Sequence, residues 1–120
     1  MKAKGLLSIL SMLIICLASC QKSEEVIVGK SYTISYNGHN EYLIIHVFEY
    51  DDNGESIFDS ENKIFRGRPK IFFAQPNAAL VKLYTELSPE NVGWVQTAYP
   101  LSNDGIGIAI NDKTILGDEP

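Results

Sequence analysis

Short runs of β-branched and aromatic residues, separated by turn-forming residues, make up most of this chain from Lys30 onward. Clusters of Asn, Gly, Asp and Pro interrupt these runs at intervals of roughly ten residues, as short strands and tight turns require. In 31–36 the apolar residues alternate with hydroxyl residues, which is the period of a half-buried strand. The pattern predicts an all-β fold, a single antiparallel β-sandwich of about seven strands.

The longest run, 42–50, is apolar on both faces and is predicted to lie in the middle of a sheet. Turns are expected at Asn37-Gly38, where both residues readily adopt positive φ, and at Asp51-Asp52-Asn53-Gly54. The remaining strands are expected at 57–65 (two short edge pieces), 70–74, 93–99, 105–110 and 114–116.

One segment, 78–87, fits two patterns. Leu80, Leu83 and Leu87 have helical spacing after Asn77, a residue that caps helices well. The same segment also alternates in the manner of a strand, and its neighbours on both sides are predicted strands. We therefore expect a strand there, with a short helix as the alternative.

Residues 1–19 have the features of a secretion signal. A positively charged start precedes the apolar run 5–17, which is shorter than the roughly 20 residues that span a bilayer. The sequence Leu17-Ala18-Ser19-Cys20 resembles the lipobox of bacterial lipoproteins. This resemblance implies cleavage before Cys20 and attachment of acyl chains to its thiol, which would anchor the protein to a membrane.

The segment that follows, Gln21 to Glu25, is polar and is predicted to act as a tether within 20–29. It resembles the lysine-plus-acid signal of surface-exposed lipoproteins of Bacteroidetes, which implies export to the outside of the outer membrane. A plain solvated spacer is the alternative. The sandwich domain would then occupy 30–120.

Charge and cysteine content exclude several functions. The net charge of −5 does not suit binding to a phosphate backbone, so no nucleic-acid partner is expected. The match of Arg66-Gly67-Arg68-Pro69 to the AT-hook core is interpreted as an exposed loop. Because Cys16 lies in the signal and Cys20 would be acylated, the domain is expected to contain no disulfide, zinc site or cofactor.

Several motifs in the second half of the chain resemble the small immunoglobulin-like or transthyretin-like β-sandwich lipoproteins of gut Bacteroidetes. They are Phe73-Ala74-Gln75-Pro76, Ala79 to Tyr84, Gly93-Trp94-Val95-Gln96 and the isoleucine-rich run from Gly105. The resemblance implies a sandwich at the outer membrane and adds almost nothing about chemistry.

Three groups of polar residues are candidates for chemistry. Asp51, Asp52, Asn53 and Glu55 surround Gly54 and are weak calcium candidates, but their spacing is not that of a calcium loop and we favour a hairpin turn, which needs the same residues. His39 is expected in a turn, and His46 is expected to be partly buried and hydrogen-bonded. The third group consists of carboxylates that would suit glycoside hydrolysis if the fold brought two of them together in a cleft: Glu41, Glu49 and Glu86.

Aromatic residues form the candidate ligand-stacking site. Tyr42, His46, Phe48 and Tyr50 share one face of the strand 42–50, and Trp94 or Tyr99 would extend the stripe from another strand. Exposed stripes of this kind stack on sugar rings or anchor protein partners. The simpler interpretation, which we favour from sequence, is that these rings belong to the core.

The sequence as a whole predicts a lipid-anchored, non-enzymatic recognition or adhesion module at the outer membrane, with a protein or glycan as ligand. Two alternatives stay open. One is a glycan-binding or glycan-processing subunit of a surface complex, and the other is an assembly lipoprotein that lends a sheet edge to its partner.

Overall fold

The computed structural model describes residues 29–120, so the predicted signal, Cys20 and most of the tether lie outside the described residues. The described part is all-β and sandwich-like, as predicted, with two sheets and no helix. It has nine strands: β1 (Ser31–Tyr36), β2 (Tyr42–Tyr50), β3 (Ser56–Phe65), β4 (Lys70–Phe73), β5 (Leu80–Ser88), β6 (Asn91–Val95), β7 (Tyr99–Pro100), β8 (Ile106–Ile110) and β9 (Leu116–Gly117).

The larger sheet has the strand order β3-β2-β5-β6-β9, and β7 pairs with the start of β5. Every pair in it is antiparallel. The strand β2 pairs along most of its length with β3 on one side and β5 on the other, with Val47 opposite Ser60 and Leu83. This confirms its predicted position in the middle of a sheet.

The smaller sheet has the order β4-β1-β8. Its β1 and β4 are antiparallel, but β1 and β8 run parallel in register, with Ile34 opposite Ile108. The prediction of a purely antiparallel sandwich is therefore wrong at this pair. Alternation along a strand identifies its buried face but carries no information about the direction of a partner more than 70 residues away.

The core fills the space between the two sheets. Alternate residues of β1, β2 and β5 supply most of it, so the period-two pattern of these strands is realised as one buried and one outer face. The buried cluster consists of Tyr32, Ile34, Tyr36, Leu43, Ile45, Val47, Ile64, Val81, Leu83, Leu87, Val95, Ile108 and Ile110.

A buried hydrogen bond links the two sheets through this core. The hydroxyl of Tyr32 on β1 donates to Oε2 of Glu49 on β2 at 2.6 Å, and the backbone N–H of Gln75 donates to Oε1 at 2.8 Å. Glu49 is only 1% exposed. Both of its carboxyl oxygens therefore have a partner, as a buried polar group requires.

Three predicted segments differ from the structure in extent or number of strands. The segment 78–87 was expected to form a strand, and it does so as β5, Leu80–Ser88; the alternative of a short helix is wrong. The expected pieces within 57–65 form one continuous edge strand, while 93–99 is divided between β6 and β7. This division and the extra short pairings account for nine strands where about seven were predicted.

The two predicted turns have different outcomes. Gly54 has φ of +78°, which confirms the turn after β2. Neither Asn37 nor Gly38 has positive φ, and the segment carries the chain from one sheet to the other and does not close a hairpin. Gly38 is suited to its position for another reason, since a Cβ there would collide with the side chains of Tyr36 and Asp112.

Candidate functional site

The outer face of the larger sheet carries a row of aromatic rings. On β2, the residues Tyr42, His46, Phe48 and Tyr50 point away from the core, and each is partly or well exposed. The interpretation that these rings are core is therefore wrong. These rings alternate along β2 with the core residues Leu43, Ile45 and Val47. The core residues face the smaller sheet, so the rings lie on the opposite, outer face of the larger sheet.

Four of the outer rings are in contact with one another. Phe48 lies 4.9 Å from Trp94 between ring centroids, Trp94 lies 5.5 Å from Tyr84, and Tyr84 lies 6.0 Å from His46. The rings meet edge-on or tilted, which is the favoured arrangement for aromatic pairs. We call these four residues the aromatic face.

The aromatic rings on the outer face of the larger sheet differ from the predicted stripe in two residues, Tyr99 and Tyr84. Tyr99 lies opposite the buried Val81 and packs against the core, so it does not join the outer rings. Tyr84 belongs to the face but was not selected from the sequence. The alternation within β5 places it opposite to the core residue Leu83, so the signal was present once the segment was taken as a strand.

Charged side chains flank the outer rings. The ammonium group of Lys63 lies 4.6 Å from the ring centroid of Tyr42, and that of Lys82 lies 4.5 Å from the ring centroid of Tyr50. These distances are within the range of cation–π contacts. The hydroxyl of Tyr50 also donates to Oε1 of Glu119 at 2.7 Å. Burial and this hydrogen bond raise the pKa of Tyr50 to about 12.

His46 is the outer-face residue that was expected to be partly buried and hydrogen-bonded. Its side chain is 43% exposed, and its Nε2 lies 3.8 Å from Oε1 of Glu61. That distance suits an ion pair when the imidazole is protonated but is too long for a hydrogen bond. The prediction is thus confirmed for burial and not for hydrogen bonding.

An open groove of about 390 Å³ lies further along β2 and β5, where its lining residues Ile44 and Glu86 are two positions from His46 and Tyr84. It lies where the pairing of β2 with β5 ends at Ile45 and Thr85. Glu41 and Glu86 both line it, so the fold brings two of the three candidate carboxylates to one groove. Glu49 is excluded because it is buried between the sheets. The full lining is Asn40, Glu41, Tyr42, Ile44, Glu86, Leu87, Ser88 and Pro89.

The candidate calcium ligands form a turn. Oδ1 of Asp51 accepts hydrogen bonds from the backbone N–H groups of Asn53 and Glu55, at 2.9 and 3.0 Å. This carboxylate stabilises its own loop, which is the role that Asp commonly has in turns. Asp52 is exposed beside it. Within residues 29–120 no three or more acidic, histidine or cysteine side chains gather as a metal site.

His39 lies in the exposed segment between β1 and β2, where a turn was predicted. Oδ2 of Asp112 accepts a hydrogen bond from the backbone N–H of His39 at 3.0 Å and lies 2.8 Å from its Nδ1. The contact with the imidazole lowers the pKa of Asp112. The pair connects this segment to the turn after β8, and the hydroxyl of Tyr36 lies 3.5 Å from Oδ1 of Asp112.

The Arg66-Gly67-Arg68-Pro69 segment is an exposed turn between β3 and β4, as predicted. The backbone N–H of Arg68 donates to the carbonyl of Phe65 at 3.0 Å, and Gly67 has φ of +74°. A negative φ followed by a positive φ, closed by this hydrogen bond, is the φ pattern of a type II turn. An AT-hook lies extended in the minor groove, so this conformation does not present one.

Comparison with known proteins does not extend these observations. No protein family matches the chain, and no curated protein or solved structure shows significant similarity to it. The structure of residues 29–120 contains no helix that is long and apolar enough to cross a membrane.

Proposed function

We propose that this protein is a lipid-anchored recognition module of the cell envelope that binds a glycan on the outer face of its larger sheet. One observation carries this proposal. The rings of His46, Phe48, Tyr84 and Trp94 form a contiguous, partly exposed platform on the side of the sheet that faces away from the core.

The surroundings of the platform favour a glycan over a protein. A typical protein interface buries roughly 800 Å² per partner and has an apolar centre. Here, charged side chains lie next to the rings in register, with Asp59 and Lys82 opposite Phe48 and Glu61 opposite His46. Apolar ring faces beside such hydrogen-bonding groups match a sugar, which has an apolar ring face and a rim of hydroxyl groups.

The location follows from the predicted lipidation of Cys20. Each buried CH₂ of an acyl chain contributes about 0.8 kcal/mol to membrane binding, so several chains give stable anchoring. We place the protein at the outer membrane on the basis of the lipobox and the polar tether, with the recognition domain 30–120 exposed on the cell surface.

A glycan-processing role is the second candidate, because Glu41 and Glu86 line the same groove beside the platform. Paired carboxylates about 5 to 10 Å apart hydrolyse glycosidic bonds in most glycosidases. Release of new reducing ends from a bound glycan would favour this role over simple recognition.

The direct test is binding of the detergent-solubilised full chain to an array of immobilised glycans, compared with two leucine variants. Trp94→Leu removes the ring that contacts both Phe48 and Tyr84, and Phe73→Leu removes a ring that is 80% exposed on the other sheet. We expect Trp94→Leu to weaken binding about 30-fold, the effect of a central hot-spot residue, and Phe73→Leu to leave it unchanged.

Thermal unfolding of both variants shows whether the folded domain is retained. Equal binding by wild type and Trp94→Leu would refute the platform as the ligand site. The array also carries immobilised control proteins. If the wild-type chain binds to these proteins and to none of the glycans, the platform is assigned to a protein partner.

A further inference from the structure

The positive charges of this acidic protein are concentrated at one turn. Four of the seven lysine and arginine residues in 29–120 lie within the eight positions 63–70. Within the described residues, the only ion pairs at 4.0 Å or less involve histidine, so none of these four side chains is neutralised by a carboxylate. We call Lys63, Arg66, Arg68 and Lys70 the basic turn.

The backbone of the basic turn is held in place by its neighbours. The N–H of Gly67 donates to the carbonyl of Tyr36 at 3.1 Å, and the N–H of Arg66 donates to the carbonyl of Glu41 at 2.9 Å. A guanidinium nitrogen of Arg66 also donates to the carbonyl of His39 at 3.1 Å. The backbone that carries Arg66 and Arg68 is therefore fixed before a ligand binds, which reduces the conformational entropy lost on binding.

A small open cavity of about 230 Å³ lies at this turn. It is lined by Glu41, Phe65, Arg66 and Arg68. Phe65 is 41% exposed, and its ring lies 5.7 Å from the ring of Tyr42. The residues that line the cavity therefore carry two guanidinium groups, one carboxylate and one accessible aromatic ring.

We propose that this cavity binds a uronic-acid unit of an acidic glycan. The arginines would hold the sugar carboxylate, because their planar guanidinium groups form paired, charge-assisted hydrogen bonds with carboxylates. Phe65 would contact the apolar face of the sugar ring. Glu41 would accept hydrogen bonds from its hydroxyl groups. This inference rests on the proposed glycan-recognition function and names the ligand class.

Other polyanions fit this site less well. A nucleic acid has one negative charge for about every 1.7 Å of duplex and binds to extended basic surfaces, whereas this protein has a single basic turn and a net charge of −5. A membrane phosphate fits less well because it has no apolar ring face for Phe65 to contact.

The test measures binding of tetragalacturonate to the detergent-solubilised full chain by calorimetry, with the methyl-esterified tetramer as the uncharged probe. Arg68→Gln removes a guanidinium that makes no side-chain hydrogen bond among the described residues, and Lys113→Gln removes one exposed charge elsewhere. We expect Arg68→Gln to weaken tetragalacturonate binding at least tenfold, Lys113→Gln to leave it unchanged, and the ester to bind weakly to all three proteins.

Equal weakening by the two variants, or equal affinity for acid and ester, would overturn the inference. Preferential binding to polyglutamate, A·T-rich duplex DNA or phosphatidylglycerol vesicles would overturn it as well. If Trp94→Leu loses glycan binding while Arg68→Gln does not, the recognition function stands and only this inference fails. If the wild-type protein binds no glycan, both fail.

Discussion

Single residues decide how this sandwich tolerates polar groups between its sheets. Glu49 has the same parity on β2 as Leu43, Ile45 and Val47, so it points into the core. The hydroxyl of Tyr32 and the backbone N–H of Gln75 satisfy its carboxyl oxygens. Glu49 is therefore part of the packing between the sheets, and its loss would leave two buried donors without an acceptor.

The pH dependence of stability provides a test of this contact. Burial, and then the hydrogen bond with Glu49, raise the pKa of Tyr32 far above its ordinary value of about 10. The folded protein therefore retains a proton that the unfolded chain loses, so stability is complete below about pH 10 and falls as the pH rises further. Tyr32→Phe should make this fall shallower by up to about 1.4 kcal/mol per pH unit, measured by urea unfolding between pH 8 and 11.

The same variant should lower the free energy of unfolding at pH 7 by about 1 to 3 kcal/mol, because the carboxyl of Glu49 loses a partner. Tyr42→Phe is the control, since the Tyr42 hydroxyl makes no hydrogen bond within residues 29–120 and should change stability by less than about 0.5 kcal/mol. An unchanged alkaline slope in Tyr32→Phe would contradict this account of Tyr32.

At the scale of elements, close backbone contacts decide how the larger sheet ends. The strands β6 and β9 pair through Trp94 and Gly117. A Cβ built on Gly93 would lie 2.8 Å from the carbonyl oxygen of Gly117, closer than Cβ atoms approach backbone. Glycine at position 93 therefore allows β9 to pair closely with β6, the strand that carries Trp94 of the aromatic face.

Gly93→Ala should consequently lower the free energy of unfolding by about 1 to 3 kcal/mol, the usual effect of overpacking. Gly107→Ala is the matched control on β8, where a Cβ would meet nothing within 4 Å and φ is not positive. That control should be neutral or stabilising by up to about 1 kcal/mol, because alanine restricts the unfolded chain. Equal destabilisation of both variants in thermal unfolding would argue against the contact with Gly117.

At the scale of the whole molecule, the start of the described domain and two of the candidate sites lie at different ends of β1. The chain enters β1 at Ser31, whereas the basic turn and the groove lie near the opposite end of that strand, beyond Tyr36. The predicted lipid anchor on Cys20 would therefore join the domain at the end remote from both sites, which leaves both of them clear of the attachment point.

Protease treatment of intact cells that express wild type or Cys20→Ala tests the anchoring. We expect wild type to incorporate labelled fatty acid, to sediment with the outer membrane and to be cleaved, and Cys20→Ala to lose the label and the membrane association. Labelled wild type that resists protease would indicate a periplasmic position. Unlabelled, soluble wild type would refute the lipoprotein prediction.

The residue pattern alone was sufficient to determine the fold class and most of the strands. Period-two alternation and turn chemistry are local properties, so β1 and β2 have the predicted bounds, and the segment 78–87 is a strand. The same alternation placed Tyr42, Phe48 and their neighbours on one face, although it did not show that this face is the outer one.

Only the tertiary structure decided which faces meet and which strands pair over long distances. The parallel pairing of β1 with β8 depends on how the two sheets close around one core, and no local pattern encodes it. The same closure buried Glu49, turned Tyr99 inward, joined Tyr84 to the outer rings and brought Glu41 to the basic turn. Local sequence determines which residues share a face, whereas the packing of the two sheets determines whether that face is buried or free to bind.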